Sequence, residues 1–208
     1  PFGVNFSRMN TWKGRPAKAY IDYLRRCQEM LQQGRYVADI LYFYGEGAPN
    51  TLPEKWRIKP ALPDGYSYDG CDAGTLLSRV EVKDGRLTLP DGMSYRVLVL
   101  KEDHRITPEL LTRVKDLVKA GATVIGLKPL ESPSLKDYPR CDDEVRKLAD
   151  GLWGGIDGKT VTERAFGAGR IVWGPSVGEV LKSMNIGTDV EMVRCEGGKP
   201  IEWIHRRA

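Results

Sequence analysis

The sequence predicts a doubly wound α/β fold built on a mostly parallel sheet. Residues 37–44 and 96–100 are almost continuously apolar, as is usual for strands that are covered on both faces. An amphipathic helical segment lies between the second of these stretches and a third apolar stretch, residues 122–127. A strand, a helix and a strand at this spacing form a βαβ unit, whose crossover is right-handed and whose strands are parallel.

The N-terminal region is predicted to contain a helix that leads into the first strand. Over residues 16–33, apolar residues recur at spacings of three and four, with Pro16 suited to the first turn and Gly34 to the stop. The strand at residues 37–44 then breaks at Gly45-Glu46-Gly47. In an open α/β sheet, the loop at the carboxyl end of the first strand is a common place for ligands or partner surfaces to bind.

The next segment is predicted to be a long ordered loop, followed by a helix and a hairpin. Residues 45–68 contain four prolines and show little periodicity. Long loops of this kind are usually functional or face a partner. Residues 69–78 are predicted to form a short helix, and Asp84-Gly85, between residues 79–82 and 86–89, is typical of a tight hairpin turn.

The clearest helix signal follows the strand at residues 96–100. Thr107, Pro108 and Glu109 suit the N-cap, the first helical position and the first turn, and Ala120-Gly121 suits the end. The remaining predicted elements are a helix at 142–153, a strand at 170–174, a helix at 176–184 and antiparallel edge strands at 191–195 and 201–206. This alternation of strands and helices predicts a doubly wound sandwich, flavodoxin-like in outline.

Composition and charge argue against several functional classes. The 208 residues include 32 basic and 28 acidic ones, and the net charge of +4 is spread along the chain, so nucleic-acid binding is not expected. The four cysteines, Cys27, Cys71, Cys141 and Cys195, form no CxxC pair, so they are interpreted as plain thiols, and neither a metal site nor a cofactor is predicted. No apolar run reaches about 18 residues, so no membrane segment is expected.

The start of the chain points to a longer parent protein. It begins at Pro1 rather than at an initiator Met and carries no secretory signal. We therefore expect the chain to have been cut from something longer, so the localisation of the parent cannot be read from these residues.

Gly70-Cys71-Asp72 is a candidate nucleophile loop. A nucleophile elbow needs a buried strand directly before it, and residues 63–69 are predicted to be loop. The sequence offers only two histidines as bases, His104 and His205. Cys71 is therefore interpreted as a small buried residue on a helix, although a self-contained amidotransferase-like hydrolase that uses Cys71 stays open as an alternative.

Glu46 is the best-placed acid in the chain, at the end of the first predicted strand. Glycoside cleavage needs two carboxyl groups, about 5 to 9.5 Å apart, on opposite sides of one sugar. The sequence places no second acid against Glu46. The adjoining glycines do not form a phosphate-binding pattern, since no third glycine opens a helix and the P-loop Lys is missing. A module that binds carbohydrate or a nucleotide at this loop stays open as an alternative.

The N-terminal segment combines residue types that suit sugar recognition. Asn5, Arg8 and Trp12 lie close together in sequence, so that the indole could stack on a sugar ring while the polar groups bond its hydroxyls. The alternative, given equal weight, is that Trp12 packs under the helix while Arg8 faces water.

Several long stretches resemble one known family. NFSRMNTW, followed by AKAYIDYLRRCQEMLQQGRYVADILYFYGE, resembles the bacterial α-L-rhamnosidase family of large multidomain glycoside hydrolases. Residues 63–100, residues 131–154 and the segment WIHRR near the C-terminus resemble the same family. The resemblance implies that residues 1–34 are the tail of a catalytic (β/α) barrel and that residues 196–208 begin a β-rich domain. It further implies that residues 35–195 form a flavodoxin-like, class I glutamine-amidotransferase-like domain.

The resemblance also implies a function for the parent, namely hydrolysis of terminal α-L-rhamnose from a glycan. In this family the acid and base lie in the barrel, most of which is absent here, so no residue is assigned as catalytic. The resemblance makes Asn5, Arg8, Trp12 and Glu46 the candidates that face substrate. The expected partners are the rest of the parent hydrolase, a rhamnose-containing glycan and a second copy of the chain, and the parent is expected to be periplasmic or secreted. The chain itself is interpreted as a noncatalytic α/β domain.

Overall fold

The computed structural model describes residues 15–191 and 203–207, which divide into two compact units. The first unit contains residues 15–36 and 203–207, and the second contains residues 37–191. Their elements, in chain order, are α1 (Arg15–Leu31), β1 (Arg35–Tyr36), β2 (Ile40–Phe43), a 3₁₀ turn (Lys55–Arg57), β3 (Tyr68–Cys71), α2 (Ala73–Ser78), β4 (Glu81–Lys83), β5 (Arg86–Thr88), β6 (Ser94–Tyr95), β7 (Val97–Leu100), α3 (Pro108–Ala120), β8 (Thr123–Ile125), α4 (Arg140–Trp153), β9 (Glu163–Phe166), β10 (Gly169–Val172), α5 (Val177–Ser183) and β11 (Arg206–Arg207).

In the first unit, the end of α1 is bonded to the C-terminal strand. β1 pairs with β11 in antiparallel fashion, with Arg35 opposite Arg207 and Tyr36 opposite Arg206. The Arg206 guanidinium donates hydrogen bonds to the carbonyls of residues 32–34, over 2.6 to 3.3 Å. These three carbonyls follow Leu31, the last residue of α1. Arg206 therefore holds the turn between α1 and β1 from a distant part of the sequence.

The second unit is built on a six-stranded sheet in the order β3-β2-β7-β8-β10-β9. β3, β2, β7, β8 and β10 are parallel, and β9 runs antiparallel along β10. All residues of β2, β7 and β8 are buried, as their apolar sequences predicted. β2 comes first in the sequence and lies between β3 and β7, the next two strands of this sheet. The chain therefore goes from β2 to β3 on one side and then crosses to β7 on the other side.

One face of this sheet packs against α5 and against the long loop that follows β2. The buried residues that form this cluster are Ile40, Tyr42, Ile58, Leu62, Tyr66, Val97, Val99, Ile125, Val172, Val177, Val180 and Leu181. Ile58, Leu62 and Tyr66 belong to the loop, and the Tyr66 hydroxyl donates to the Ile186 carbonyl over 2.8 Å. The predicted long ordered loop therefore covers part of the sheet.

The opposite face packs against the amphipathic helix α3. Alternate strand residues point to opposite sides of a sheet, so Leu41, Leu98 and Ile171 point away from the first cluster. α3 contacts β8 and β10 and buries the apolar stripe that the sequence predicted, made of Leu110, Leu111, Val114, Leu117 and Val118. It also contacts α2 and α4. Among residues 15–191 and 203–207, no helix combines the length and apolar character that crossing a bilayer requires.

A buried hydrogen bond joins α4 to the end of β8. The Trp153 side chain is fully buried, and its Nε1 donates to the Gly126 carbonyl over 3.0 Å. Gly126 is needed for close approach, because a Cβ there would lie 2.8 Å from the Leu100 Cβ. Its amide donates to the Val172 carbonyl over 2.9 Å, so one residue connects β8 to both a neighbouring strand and a helix.

The prediction of a helix over residues 69–78 was wrong at its start. Residues Tyr68–Cys71 form β3, which pairs in parallel with β2, and the helix begins only at Ala73, after Asp72 as N-cap. Tyr68 packs against the core cluster, and Asp69 accepts a hydrogen bond from the Tyr95 hydroxyl over 2.8 Å. Because these contacts come from distant parts of the chain, local periodicity did not reveal the strand.

The hairpin signal at Asp84-Gly85 is confirmed. Both residues have positive φ, 51° and 71°, as a type I′ turn requires, and they join β4 to β5. Three further strands were not predicted: β1 pairs with β11, β6 adds to this hairpin, and β9 adds to the edge of the large sheet. The strand predicted at 191–195 lies outside the described residues except for Glu191, which is not in a strand. The strand predicted at 201–206 was largely wrong, because residues 203–205 form no strand and Arg206 begins β11, which pairs with β1.

We predict that Trp153→Phe lowers the free energy of unfolding by about 1–3 kcal/mol, because the buried Gly126 carbonyl loses its donor. Urea unfolding would show a lower midpoint with an unchanged slope. Trp56→Phe is the matched control, since Trp56 is 71% exposed and a surface change should alter stability by no more than about 0.5 kcal/mol. Equal midpoints for the two variants would contradict the prediction.

Candidate functional site

The carboxyl edge of the sheet contains a crevice between the ends of β2 and β7. At this point the strand order changes direction, because β3 lies on one side of β2 and β7 lies on the other. Open α/β sheets commonly bind ligands at this point. Here the crevice measures about 20 Å³. Its lining residues are Phe43, Gly45, Leu100, Lys101, Asp103, Arg105, Ile106, Leu127 and Pro129. This volume is close to the minimum that one water molecule needs, so the crevice does not hold a sugar or a nucleotide.

Glu46 lies beside this crevice, and both of its carboxylate oxygens are bonded within the protein. The Thr107 amide donates to Oε2 over 2.7 Å, and the Thr107 hydroxyl donates to Oε1 over 2.8 Å. Thr107 is the N-cap of α3, where backbone amides lack helical partners and favour negative charge. The carboxylate thus fastens the loop after β2 to the start of α3.

Asp103, in the loop that follows β7, is also hydrogen-bonded within the protein. Asp103 receives two hydrogen bonds from the Arg105 guanidinium, each 3.0 Å long, and lies 3.8 Å from the Lys101 ammonium. The hydrogen bonds from Arg105 are the main reason why the pKa of Asp103 lies below its ordinary value. Asp103 is therefore held as a carboxylate, the form that cannot act as a general acid.

Cys71 is the last residue of β3, directly before the turn into α2. The loop expected before it is in fact this strand, so the first objection to a nucleophile elbow no longer holds. The surroundings of the thiol argue against the role instead, because Cys71 is 1% exposed and burial raises its pKa to about 12. The Cys71 Sγ contacts the Asp72 carbonyl at 3.3 Å. His104, one of the two histidines considered as a base, has its Nδ1 3.1 Å from the Lys128 carbonyl. Cys71 is thus a buried strand residue and not a helical one.

A larger groove lies along β10, between the start of β9 and α5. Its volume is about 570 Å³, and its charged lining residues are Lys159, Glu163, Arg170 and Glu179. Glu163 pairs with Arg170 over 3.1 Å. Glu179 accepts hydrogen bonds from the Ser176 amide and hydroxyl, at 2.7 and 2.8 Å, and these bonds lower its pKa. The groove is large enough for a small polar molecule, but both of its acids are held by neighbouring groups.

The structure tests the proposed site residues only in part. Asn5, Arg8 and Trp12 lie outside the described residues, so Glu46 is the one candidate with a described position. Within residues 15–191 and 203–207, no three side chains of His, Cys, Asp or Glu gather as a metal site would require.

Sequence reasoning missed the groove and the partners of the edge acids. The capping pattern Ser176-x-x-Glu179 could have revealed the role of Glu179, because this spacing is the signature of a capping box. The pairing of Glu46 with Thr107 spans 61 residues and leaves no local signal.

Comparison with known proteins gives three findings. A family model described as alpha-L-rhamnosidase, Glyco_hydro_106, matches residues 1–208. A curated relative from Formosa agariphila, named "Putative beta-glucuronidase", is 49% identical over 155 residues, which is 73% of this chain and 13% of that protein. A solved rhamnosidase from Novosphingobium sp. PP1Y matches with a TM-score of 0.80 and 28% identity over 99% of this chain and 19% of that one. The chain therefore spans less than a fifth of the length of either relative.

We predict that Glu46→Ala lowers the free energy of unfolding by about 1–3 kcal/mol, because the part-buried Thr107 amide and hydroxyl lose their acceptor. Thr107→Val and the double variant complete a cycle, in which we expect a coupling of at least about 0.5 kcal/mol. Glu54→Ala is the control, since Glu54 is exposed and its side chain makes no cap hydrogen bond. Additive effects in the cycle would contradict the assigned contact.

We predict that iodoacetamide labels Cys71 at least about 100-fold more slowly than Cys27 at near-neutral pH, because the thiolate is the reactive form and Cys71 is a buried, protonated thiol. Peptide mass spectrometry of the native chain measures both rates, and the unfolded chain supplies the reference for each cysteine. Faster labelling of Cys71 than of Cys27 would instead favour a catalytic thiol.

Proposed function

The chain belongs to the alpha-L-rhamnosidase family, and on that premise we propose that its α/β unit is a noncatalytic domain of a longer rhamnosidase-like glycoside hydrolase. In this proposal the unit supports the catalytic part of the protein or an oligomer. The complete polypeptide hydrolyses terminal α-L-rhamnosides. The names of the two relatives, a rhamnosidase and a glucuronidase, both describe enzymes that cleave glycosidic bonds, and this agreement supports the proposal.

The observation that carries the noncatalytic role is the state of the acids around the crevice and the groove. Glycoside cleavage uses one protonated carboxyl group with a raised pKa and one free carboxylate on the other side of the sugar. Glu46, Asp103, Glu163 and Glu179 are each bonded to a neighbouring group of the protein. The pKa values of Asp103 and Glu179 are lowered, which is the opposite of what a general acid needs.

The same proposal assigns the parts of the chain. Residues 1–34 belong to the end of a catalytic barrel, where Asn5, Arg8 and Trp12 border the sugar, and residues 196–208 begin a β-rich domain whose strand β11 pairs with β1 in the first unit. Residues 35–195 form a flavodoxin-like domain, although its first two residues, Arg35 and Tyr36, lie in the first unit as β1. The position of the first strand of the sheet between the next two supports this fold assignment, because flavodoxin-like sheets have that order.

The alternatives have less support. A hydrolase that uses Cys71 would need an accessible, activated thiol, whereas this thiol is buried and its pKa is raised. Binding of a carbohydrate or nucleotide beside Glu46 would need a larger crevice than about 20 Å³.

We predict that Glu46→Gln, Glu163→Gln and Glu179→Gln, each made in the complete polypeptide, keep kcat for an aryl α-L-rhamnoside within about threefold of the parent, whereas loss of a general acid or base costs about 10²–10⁴-fold. Asp116→Asn, on the exposed side of α3, is the control for any effect of removing a charge. A loss of kcat above about 100-fold in one Gln variant with an unchanged Tm would contradict the noncatalytic role. Turnover by the 208-residue chain alone that is lost in Glu46→Ala would contradict it as well.

A further inference from the structure

The second unit exposes several large apolar side chains, one of which, Trp56, has the Arg57 guanidinium 4.4 Å from the centre of its ring. Among residues 37–191 there are six of them, Leu52, Trp56, Leu130, Leu135, Tyr138 and Val161. Leu135 is 85% exposed, Trp56 71% and Tyr138 65%. Single exposed apolar residues are ordinary, whereas apolar groups gathered on one side of a domain mark an interaction surface.

All six side chains come from segments at the carboxyl edge of the sheet. Leu52 and Trp56 lie in the loop that leaves the carboxyl end of β2, and Leu130, Leu135 and Tyr138 lie between β8 and α4. Val161 precedes β9, whose first residue pairs with the last residue of β10 and so starts at the same edge. The outer faces of α2, α3, α4 and α5 expose no large apolar side chain in the described part of this unit. These six residues extend along the carboxyl edge from Leu52, beside β3 at one end of the sheet, to Val161, before β9 at the other, and we call them the apolar edge.

Three ion pairs lie around the apolar edge. Lys55 pairs with Asp64 over 3.3 Å, Arg105 with Asp103 over 3.0 Å, and Arg140 with Asp137 over 3.6 Å. Among the apolar side chains, Trp56 and Tyr138 belong to the aromatic types that are enriched in protein interfaces.

We propose that the apolar edge docks against an apolar protein surface of the same longer polypeptide, outside these 208 residues. The relatives are much longer than this chain, which spans 13% of one and 19% of the other, so each has ample protein outside the matched part. Interfaces between domains of one chain cover apolar surface of this kind. The inference rests on the proposed function, because it names the surface through which the unit supports the rest of the hydrolase.

Site-specific labelling of the complete polypeptide tests this docking. Leu135→Cys and Tyr138→Cys place thiols in the apolar edge, and Asp116→Cys and Glu144→Cys place thiols on exposed positions of α3 and α4 as controls. For each thiol, the maleimide labelling rate of the native protein is divided by its rate in denaturing urea, with peptide mass spectrometry to identify the site. We expect at least about tenfold stronger protection at Leu135→Cys and Tyr138→Cys than at the controls, because a buried thiol reacts only after the interface opens.

The other results separate a failure of this docking proposal from a failure of the proposed function. Labelling of both edge thiols as fast as the controls means that no protein covers this surface. Protection that disappears on dilution, together with a fall in the mass measured by sedimentation, means that a second copy covers it instead. Protection of the edge thiols in a polypeptide that hydrolyses no aryl α-L-rhamnoside would contradict the proposed activity and support the docking proposal. Free labelling in an active polypeptide would contradict the docking proposal and leave the proposed activity standing.

Discussion

Burial of the central strands on both faces constrains the rest of the α/β unit. Every side chain of β2, β7 and β8 is removed from water, so each face of the sheet needs its own covering layer. The amphipathic helix α3 supplies the main cover on one side, and α5 supplies only a short one on the other. Ile58, Leu62 and Tyr66 of the loop after β2 complete that second cover. The length of this loop thus has a structural cause, because removing it would expose one side of the core.

At the carboxyl edge of the sheet, the acidic side chains are bonded within the protein. Many α/β proteins bind a ligand at this edge, whereas here the acids accept hydrogen bonds from the protein's own backbone and side chains. Glu46 satisfies the N-cap residue of α3, and Asp103 is held by Arg105. Both carboxylates are fixed in position by these bonds, and the pKa of Asp103 is lowered by its bonds to Arg105, which suits a rigid support better than a general acid.

Elements with strong local signals were predicted from the sequence, and those that depend on distant partners were not. The N-cap at Thr107, the apolar stripe of α3 and the turn at Asp84-Gly85 follow from short-range rules, and the structure confirms them. β3 has no apolar run, and its pairing with β2 is supported by contacts such as the hydrogen bond between Asp69 and Tyr95, 26 residues away. At the candidate site, the sequence placed Glu46 at the correct edge of the sheet but gave no sign of its bonds to Thr107. The chain topology brings Thr107 next to Glu46, and the periodicity of the sequence carries no information about that topology.

The pairing of β1 with β11 has a consequence for how the chain is assembled. The polypeptide leaves the first unit after Tyr36 and returns to it beside the same residue, since Tyr36 and Arg206 are opposite each other in the two-stranded ladder. Opposite residues in such a ladder have Cα atoms only about 4.5–5.5 Å apart. The segment between Tyr36 and Arg206 is therefore an insertion whose two attachment points are adjacent. A short tight turn between these two residues could replace it without separating the ladder or the bonds from Arg206 to the turn after α1.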